Sequence, residues 1–183
     1  MNGKKIHADN AKCLIAYFSR AGNNYVGGGI VNLPVGNTEV IAKIIREMTK
    51  GDLFHIESLK GYPADYTETT EVAQAERRAN ARPELTRRLE NSAAYDVIFL
   101  GYPNWWGSMP MPVFTFLEGY DLSGKTIAPF CTHEGSGLGH SITDIRKTCP
   151  KSIVLDGLAI RGGDVKNAQD PVAGWLKELG ITI

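Results

Sequence analysis

Ser19, Asn37 and Thr38 are the residues of this sequence best suited to bind a phosphate group. Ser19 ends an apolar run, and Asn37 and Thr38 open a helical pattern directly after Gly36. The first turn of a helix has backbone N–H groups without intrahelical acceptors, and its dipole favours an anion. The two hydroxyl groups would add donors, and Gly36 would let the backbone approach closely. The alternative is an ordinary strand-to-helix connection with Asn37 or Thr38 as N-cap.

A second group of chemically suitable residues follows the apolar run 96–102, where Pro103-Asn104-Trp105-Trp106-Gly107 begins a loop. Adjacent tryptophans on a loop either pack beneath it or cover a flat ligand. Stacking on a tryptophan face contributes roughly 0.5–1.5 kcal/mol beyond area burial. The motif therefore predicts a surface for a planar ring, and the alternative is that both tryptophans belong to the core.

A third loop follows the apolar run 125–131 and is rich in glycine and small polar residues. Backbone amides of such a loop can bond the polar edge of a ring without interference from side chains. A planar ring and a phosphate together are what flavin mononucleotide (FMN) presents, so FMN is the ligand that the three loops predict. The third loop contributes Thr132, His133, Glu134, Gly135, Ser136 and Gly137.

The elements that must position these loops alternate between apolar runs and helical patterns. Apolar runs without polar alternation are typical of parallel strands that are covered on both faces. We therefore predict an α/β fold with a doubly wound five-stranded parallel sheet and helices on both faces. Ligands of such sheets bind at the carboxyl ends of the strands, where all three loops would lie. The predicted strands are residues 12–18, 53–58, 96–102, 125–131 and 152–160.

Composition excludes several classes of function. The chain has 183 residues with 20 basic and 20 acidic side chains, so bulk charge favours neither nucleic acid nor an anionic membrane. No apolar run approaches the roughly 20 residues of a membrane span, and no signal-peptide pattern follows Met1. Cys13, Cys131 and Cys149 are widely spaced, which argues against a disulfide framework or a zinc site. We expect a cytoplasmic protein without a metal.

The predicted domain organisation is simple. Residues 1–11 are polar and are expected to form a flexible arm, and residues 12–183 form one domain. Residues 21–35 interrupt the first loop with four glycines and three asparagines, which favour turns. We expect this insertion to be a mobile flap that gains order when ligand binds. Residues 30–33 could pair within it as a short hairpin strand, and Tyr25 could reach the ligand.

Taken together, these motifs resemble the flavodoxin family over essentially the whole chain after residue 11. The resemblance rests on Tyr17-Phe18-Ser19, Gly36-Asn37-Thr38, the motif 101–107 and the loop 132–139. It implies strand order 2-1-3-4-5 and one non-covalent FMN. By this resemblance Ser19, Asn37 and Thr38 would hold the phosphate. One side of the ring would be flanked by Pro103, Asn104, Trp105 and Trp106, and the other by Thr132, Glu134, Gly135, Ser136 and Gly137.

Three features depart from that family. Fifteen residues separate Arg20 from Gly36, whereas the phosphate loop of the family is usually compact. Arg20 could add positive charge at the phosphate or could simply be exposed. The neutral net charge differs from the acidic character of flavodoxins that dock basic partners. The last predicted strand runs uninterrupted to Ile160, which resembles the short-chain form.

Three functions agree with these observations. The first is an electron carrier, in which the cofactor performs the redox chemistry, no catalytic side chain is needed, and a redox partner protein supplies electrons. The second is an FMN oxidoreductase that uses NAD(P)H and a quinone or similar small acceptor, with His133 as a candidate proton donor. The third is a non-enzymatic interaction domain. The sequence leaves open whether the protein is a monomer or a homodimer.

Overall fold

The computed structural model describes residues 11–181 and has a parallel sheet at its centre. The sheet order is β4-β1-β5-β6-β7, and β8 pairs with β6 beyond the end of β7. The predicted fold, with order 2-1-3-4-5, is therefore confirmed. Residues 1–10 of the predicted N-terminal arm lie outside the described residues. The strands of this sheet are β1 (Cys13–Tyr17), β4 (Asp52–His55), β5 (Val97–Pro103), β6 (Thr126–His133), β7 (Ile153–Val154) and β8 (Leu158–Arg161).

In the described residues, 11–181, five α-helices and two short 3₁₀ segments accompany the strands. The apolar spacing in residues 37–49 places Ile41, Ile44 and Ile45 on one buried face, which packs α1 against the sheet. Within residues 11–181, no helix combines the length and apolar character that crossing a membrane requires. The helices are α1 (Asn37–Thr49), α2 (Tyr66–Arg78), α3 (Met111–Glu118), α4 (Ser141–Thr148) and α5 (Gln169–Glu178), and the 3₁₀ segments are Ser92–Ala94 and Gly162–Asn167.

Alternate residues of the inner strands build a core on each face of the sheet. On β5, Phe99 packs with α1 and α5, while its neighbours Ile98 and Leu100 pack on the opposite face with α3 and α4. All three side chains are fully buried. Burial on both faces explains why the inner strands read as continuous apolar runs in the sequence.

The fifth strand is interrupted, which corrects the prediction of a continuous strand over residues 152–160. β7 pairs with Thr126 and Ile127, and β8 pairs with residues 130–133, so the pairing breaks after the N–H of Leu155 and resumes at Leu158. The carbonyl of Ile127 accepts the N–H of Leu155 at 2.9 Å, so Ile127 faces the fifth strand. Alternation places Pro129 on the same side, and proline has no N–H to donate. The missing donor explains the gap in pairing.

The insertion after β1 forms a β-hairpin, which we call the hairpin and define as residues 22–33. Its antiparallel strands are β2 (Gly22–Val26) and β3 (Gly29–Leu33). Gly27 and Gly28 have φ values of 62° and 95°, and such a left-handed pair is what a tight two-residue turn requires. The predicted hairpin strand at residues 30–33 is present. Whether the hairpin gains order with ligand stays a prediction.

Candidate functional site

Ser19 and Gly36 shape the first turn of α1, the part of the site suited to an anion. Ser19 Oγ accepts the N–H of Glu39 at 3.1 Å and so caps the helix from the end of β1. A Cβ on Gly36 would lie 2.2 Å from Ser19 Oγ, so only glycine allows this close approach. The amides of Asn37 and Thr38 precede any intrahelical acceptor and remain available as donors at this end of α1.

A buried hydroxyl pair joins α1 to the end of β6. The Oγ1 atoms of Thr38 and Thr132 are 2.8 Å apart, and the side chains are 1% and 5% exposed. These threonines connect the first and third loops of the sequence prediction. Either hydroxyl can donate to the other, which leaves the second hydrogen atom free for another acceptor.

The tryptophan loop, residues 103–108, is held by the side chain of Asn104. Asn104 Oδ1 accepts the N–H of Gly107 at 3.0 Å, and its Nδ2 donates to the carbonyl of Gly137 at 2.8 Å. Trp105 and Ser108 close the loop through two backbone hydrogen bonds of 2.9 and 3.2 Å. One amide side chain thus fixes both the tryptophan loop and its distance from the third loop.

The two adjacent tryptophans have different environments. Trp105 packs edge-to-face against Phe18 and Tyr62, with ring centroids 5.2 and 5.1 Å away. Trp106 is 49% exposed, and its indole Nε1 donates to the carbonyl of Thr70 in α2 at 3.1 Å. Trp106 also has a left-handed backbone, with φ of 53°. Trp105 is therefore anchored in the core of the site, whereas Trp106 spans the gap to α2.

The third loop contributes a histidine and a carboxylate. His133 Nδ1 accepts the N–H of Gly135 at 2.9 Å, and burial, followed by the positive charge of Arg161, lowers the pKa of His133. Because Nδ1 accepts this bond, the neutral ring has its proton on Nε2. Glu134 Oε2 accepts the N–H of Gly27 at 3.0 Å, so the carboxylate holds the tip of the hairpin.

These groups surround one cavity of about 240 Å³, which we call the main cavity. Eleven of the predicted site residues line it: Ser19, Arg20, Asn37, Thr38, Pro103, Asn104, Trp105, Thr132, His133, Glu134 and Ser136. Five predicted site residues lie outside its lining, namely Gly36, Trp106, Gly107, Gly135 and Gly137. Gly36 and Gly107 support it through the backbone contacts described above, as Gly137 does through its carbonyl.

Arg20 lines the cavity, but its guanidinium is committed elsewhere. Nη2 donates to the carbonyls of Pro63 and Ala64, both at 2.7 Å, and Nη1 donates to the carbonyl of Asn23. Arg20 therefore joins the root of the hairpin to the segment before α2. These backbone acceptors occupy much of the set of guanidinium N–H donors that would otherwise be available to a phosphate.

Four lining residues were not among the predicted site residues: Asn24, Tyr25, Tyr66 and Gly162. Asn24 and Tyr25 belong to the hairpin, where only Tyr25 was expected to reach the ligand. Tyr66 opens α2 after the N-cap Asp65, whose side chain accepts the N–H of Glu68 at 2.9 Å. Gly162 follows β8 at the same sheet edge as the other loops. The Asp65 cap and the position after the last strand were the signals available in the sequence.

The flavodoxin family model matches residues 12–179 of this chain. The chain belongs to the flavodoxin family. No curated protein matches this flavodoxin. A solved structure of a candidate flavoprotein from Bacteroides eggerthii shares 30% identity and a TM-score of 0.77, covering 94% of this chain and all (100%) of its own.

Two further solved structures resemble this flavodoxin. One from Bacteroides uniformis shares 27% identity and a TM-score of 0.70, covering 91% of this chain and 98% of its own. A flavoprotein of Lactobacillus acidophilus in complex with FMN shares 23% identity and a TM-score of 0.61. The match covers 89% of this chain and 99% of that flavoprotein. At that identity the last likeness establishes a shared fold. The three loops of this flavodoxin lie at the carboxyl edge where the fold binds ligands.

Proposed function

We propose that this flavodoxin binds one FMN without a covalent bond and transfers electrons through it. The observation that carries the proposal is that one cavity is lined both by the first turn of α1 and by Trp105. The first provides hydrogen-bond donors and a favourable dipole for a phosphate, and the second provides an aromatic surface for a flavin ring. FMN presents both a phosphate and a planar ring, and so matches the two parts of this cavity.

The residues present suit FMN in their hydrogen-bonding groups and in their aromatic surface. The Ser19 hydroxyl and the amides of Asn37 and Thr38 would hold the phosphate, while Pro103, Asn104 and Trp105 would border the ring. A Cβ on Gly162 would lie 2.2 Å from Glu134 Oε1 and 2.6 Å from Asn37 Nδ2, so glycine preserves space beside these two side chains. Bound FMN supplies the redox chemistry, and the protein tunes it through stacking, hydrogen bonds and charge.

The side chains around the cavity have separate tasks in this function. The edge-to-face packing of Trp105 against Phe18 and Tyr62 fixes the orientation of its ring and keeps water from that side of the site. The Asn104 amide holds the second and third loops at a constant separation. His133 keeps a proton at Nε2 beside the cavity, because its Nδ1 accepts from Gly135.

A second candidate function is an FMN oxidoreductase that uses NAD(P)H and a small acceptor such as a quinone. Equal numbers of basic and acidic residues, 20 of each, favour it over a carrier that docks oppositely charged proteins. Steady-state assays with NADH or NADPH and a quinone distinguish the two functions. Turnover well above that of free FMN supports the oxidoreductase, and its absence supports a carrier that receives electrons from a redox partner protein.

Calorimetric titration tests cofactor binding directly. We expect one FMN per chain with affinity in the micromolar range or tighter, and no heat of binding at such concentrations would contradict the proposal. Thr38→Val should weaken FMN by about tenfold, the equivalent of one or two hydrogen bonds, and should weaken riboflavin less because riboflavin lacks the phosphate. Thr49→Val at the other end of α1 is the matched control and should change neither affinity. Equal losses for both ligands would place Thr38 away from the phosphate.

A further inference from the structure

A second cavity of about 390 Å³ opens beside the main cavity, and we call it the side cavity. It lies between α2 and the tryptophan loop, and its volume is within the roughly 300–1,000 Å³ typical of small-molecule sites. Five residues line both cavities, so a ligand in one would lie next to a ligand in the other: Arg20, Asn24, Tyr66, Asn104 and Trp105. Thr69, Thr70, Ala73 and Trp106 line the side cavity alone.

The lining of the side cavity favours an uncharged ligand. Arg20 is the one charged residue in the lining that the structure describes, and its guanidinium donates to backbone carbonyls of residues 23 and 63–65. The hydroxyl of Thr69, another lining residue, donates to the carbonyls of Pro63 and Asp65 at 2.9 and 2.7 Å. An anion placed here would lose its hydration without gaining strong donors, which is costly.

Aromatic rings give the cavity its shape. Trp106 is held across the gap to α2 by its indole bond to Thr70, in a left-handed backbone conformation that is unusual for a large side chain. Trp105 and Tyr66 contribute two further rings, and the small side chain of Ala73 leaves space between them. Flat rings around a gap whose one charged side chain is bonded to backbone carbonyls are suited to a planar aromatic molecule.

We propose that the side cavity binds an uncharged planar aromatic or quinoid molecule next to the flavin site. This inference rests on the proposed function for its biological meaning, because it makes the side cavity the binding site of the small electron acceptor in the second candidate function. A nicotinamide dinucleotide is disfavoured in the side cavity, since its pyrophosphate would require cationic partners. The assignment itself concerns binding and can be tested without turnover.

Nuclear magnetic resonance of the FMN-loaded protein provides the test. The chain has three tryptophans, and each gives one indole N–H signal. The signal of Trp106 is assigned by its loss in Trp106→Phe, and Trp175, bonded to the carbonyl of Asp156, is an internal reference. Menadione, an uncharged naphthoquinone, should shift the Trp106 signal in a saturable manner and leave Trp175 unchanged. A sulfonated naphthoquinone of the same ring size should bind about tenfold more weakly or worse.

Two variants on α2 locate the site. Thr70→Phe places a ring in the side cavity and should weaken menadione by about tenfold, while FMN binding should be unchanged because Thr70 does not line the main cavity. Thr67→Phe on the exposed side of the same helix is the control and should affect neither ligand. Equal affinity for menadione in all three proteins, or no shift at Trp106, would overturn the inference.

The same measurements separate this inference from the proposed function. If calorimetry detects no FMN binding, the proposed function fails, and the menadione titration is then read in the FMN-free protein. If FMN alone shifts Trp106 and Thr70→Phe weakens FMN as strongly as menadione, the side cavity is part of the flavin ring site. That outcome would overturn the inference while supporting the proposed function.

Discussion

The hairpin and the tryptophan loop both line the main cavity, yet they are secured in opposite ways. The hairpin has regular structure, with five residue pairs in register between β2 and β3. The tryptophan loop has almost none beyond the bridge between Trp105 and Ser108. Regularity within a segment therefore says little about how firmly the segment is attached to the rest of the molecule.

Attachment to the core is what differs between the two regions. Asn104 and Ser108 tie the tryptophan loop to its surroundings, the latter by a 2.5 Å bond from its hydroxyl to Asp144. The hairpin is held mainly by Arg20 at its root and by the Glu134–Gly27 bond at its tip, while Ile30 and Val31 are 53% and 42% exposed. Segments with few buried contacts open locally at low free energy. We therefore expect the tryptophan loop to be a rigid part of the cavity lining and the hairpin to be a part that opens.

The largest effect should come from removing the Asn104 side chain. Asn104→Ala deletes two hydrogen bonds and leaves the N–H of Gly107 and the carbonyl of Gly137 without their partner. We expect the free energy of unfolding to fall by about 2 kcal/mol and FMN binding to weaken by about tenfold or more. Urea unfolding and calorimetric titration measure the two quantities.

Asn32→Ala provides the matched control for this comparison. Asn32 Nδ2 donates to Asn23 Oδ1 at 3.2 Å on the exposed surface of the hairpin. Because water can replace an exposed partner, this variant should change stability by less than about 0.5 kcal/mol. Similar losses in both variants would mean that the two walls are equally secured, contrary to the comparison.

A smaller, local effect is expected from Arg20→Met, which keeps the apolar length of the side chain and removes its donors. The carbonyls of Pro63 and Ala64 lose a charged partner, and the hairpin loses its link to the segment before α2. Hydrogen exchange should accelerate across residues 22–33 and remain unchanged in β5 and β6. Arg88→Met is the control, because Arg88 lies on the exposed surface. Unchanged exchange in the hairpin would show that other contacts hold it.

The contrast also explains which parts of the molecule could be predicted from sequence. The continuous apolar runs identified the parallel sheet, and the helical spacing after Gly36 gave α1 its observed bounds, residues 37–49. The interrupted fifth strand was not recognised, because its cause is Pro129 on the neighbouring strand. Local sequence in residues 152–160 contains no sign of a partner that lacks an N–H.

The site residues that directly follow strands could be predicted from the sequence. Those whose role depends on contacts with distant parts of the chain could be predicted less well. Most lining residues of the first, second and third loops were predicted from their place after apolar runs. The role of Arg20 was not, since its carbonyl partners in residues 63–65 are more than forty positions away in the chain. Tertiary contact also shapes the segment before β5, where Leu85 bridges to Ser58 and Ser92–Ala94 form a 3₁₀ turn.

The smallest effect should come from Glu134, which acts on the hairpin and on the charge of the site at once. Its carboxylate lies beside Gly162 and the Asn37 side chain, close to the start of α1, where the phosphate of FMN is proposed to bind. Glu134→Gln removes the negative charge but keeps an oxygen that can accept from Gly27. Glu134→Ala removes both. The pair therefore separates charge from attachment.

Both Glu134 variants should bind FMN roughly threefold more tightly at low salt, because a like charge near the phosphate has been removed. The gain should shrink as salt screens the interaction. Only Glu134→Ala should accelerate exchange of the Gly27 amide, since only that variant lacks an acceptor for it. Glu68→Gln, in the first turn of α2, controls for the loss of one negative charge elsewhere. Weaker FMN binding in Glu134→Gln would mean that the carboxylate itself contacts the ligand. Faster exchange of the Gly27 amide in both variants would mean that the charge of Glu134, and not only its oxygen acceptor, holds the tip of the hairpin.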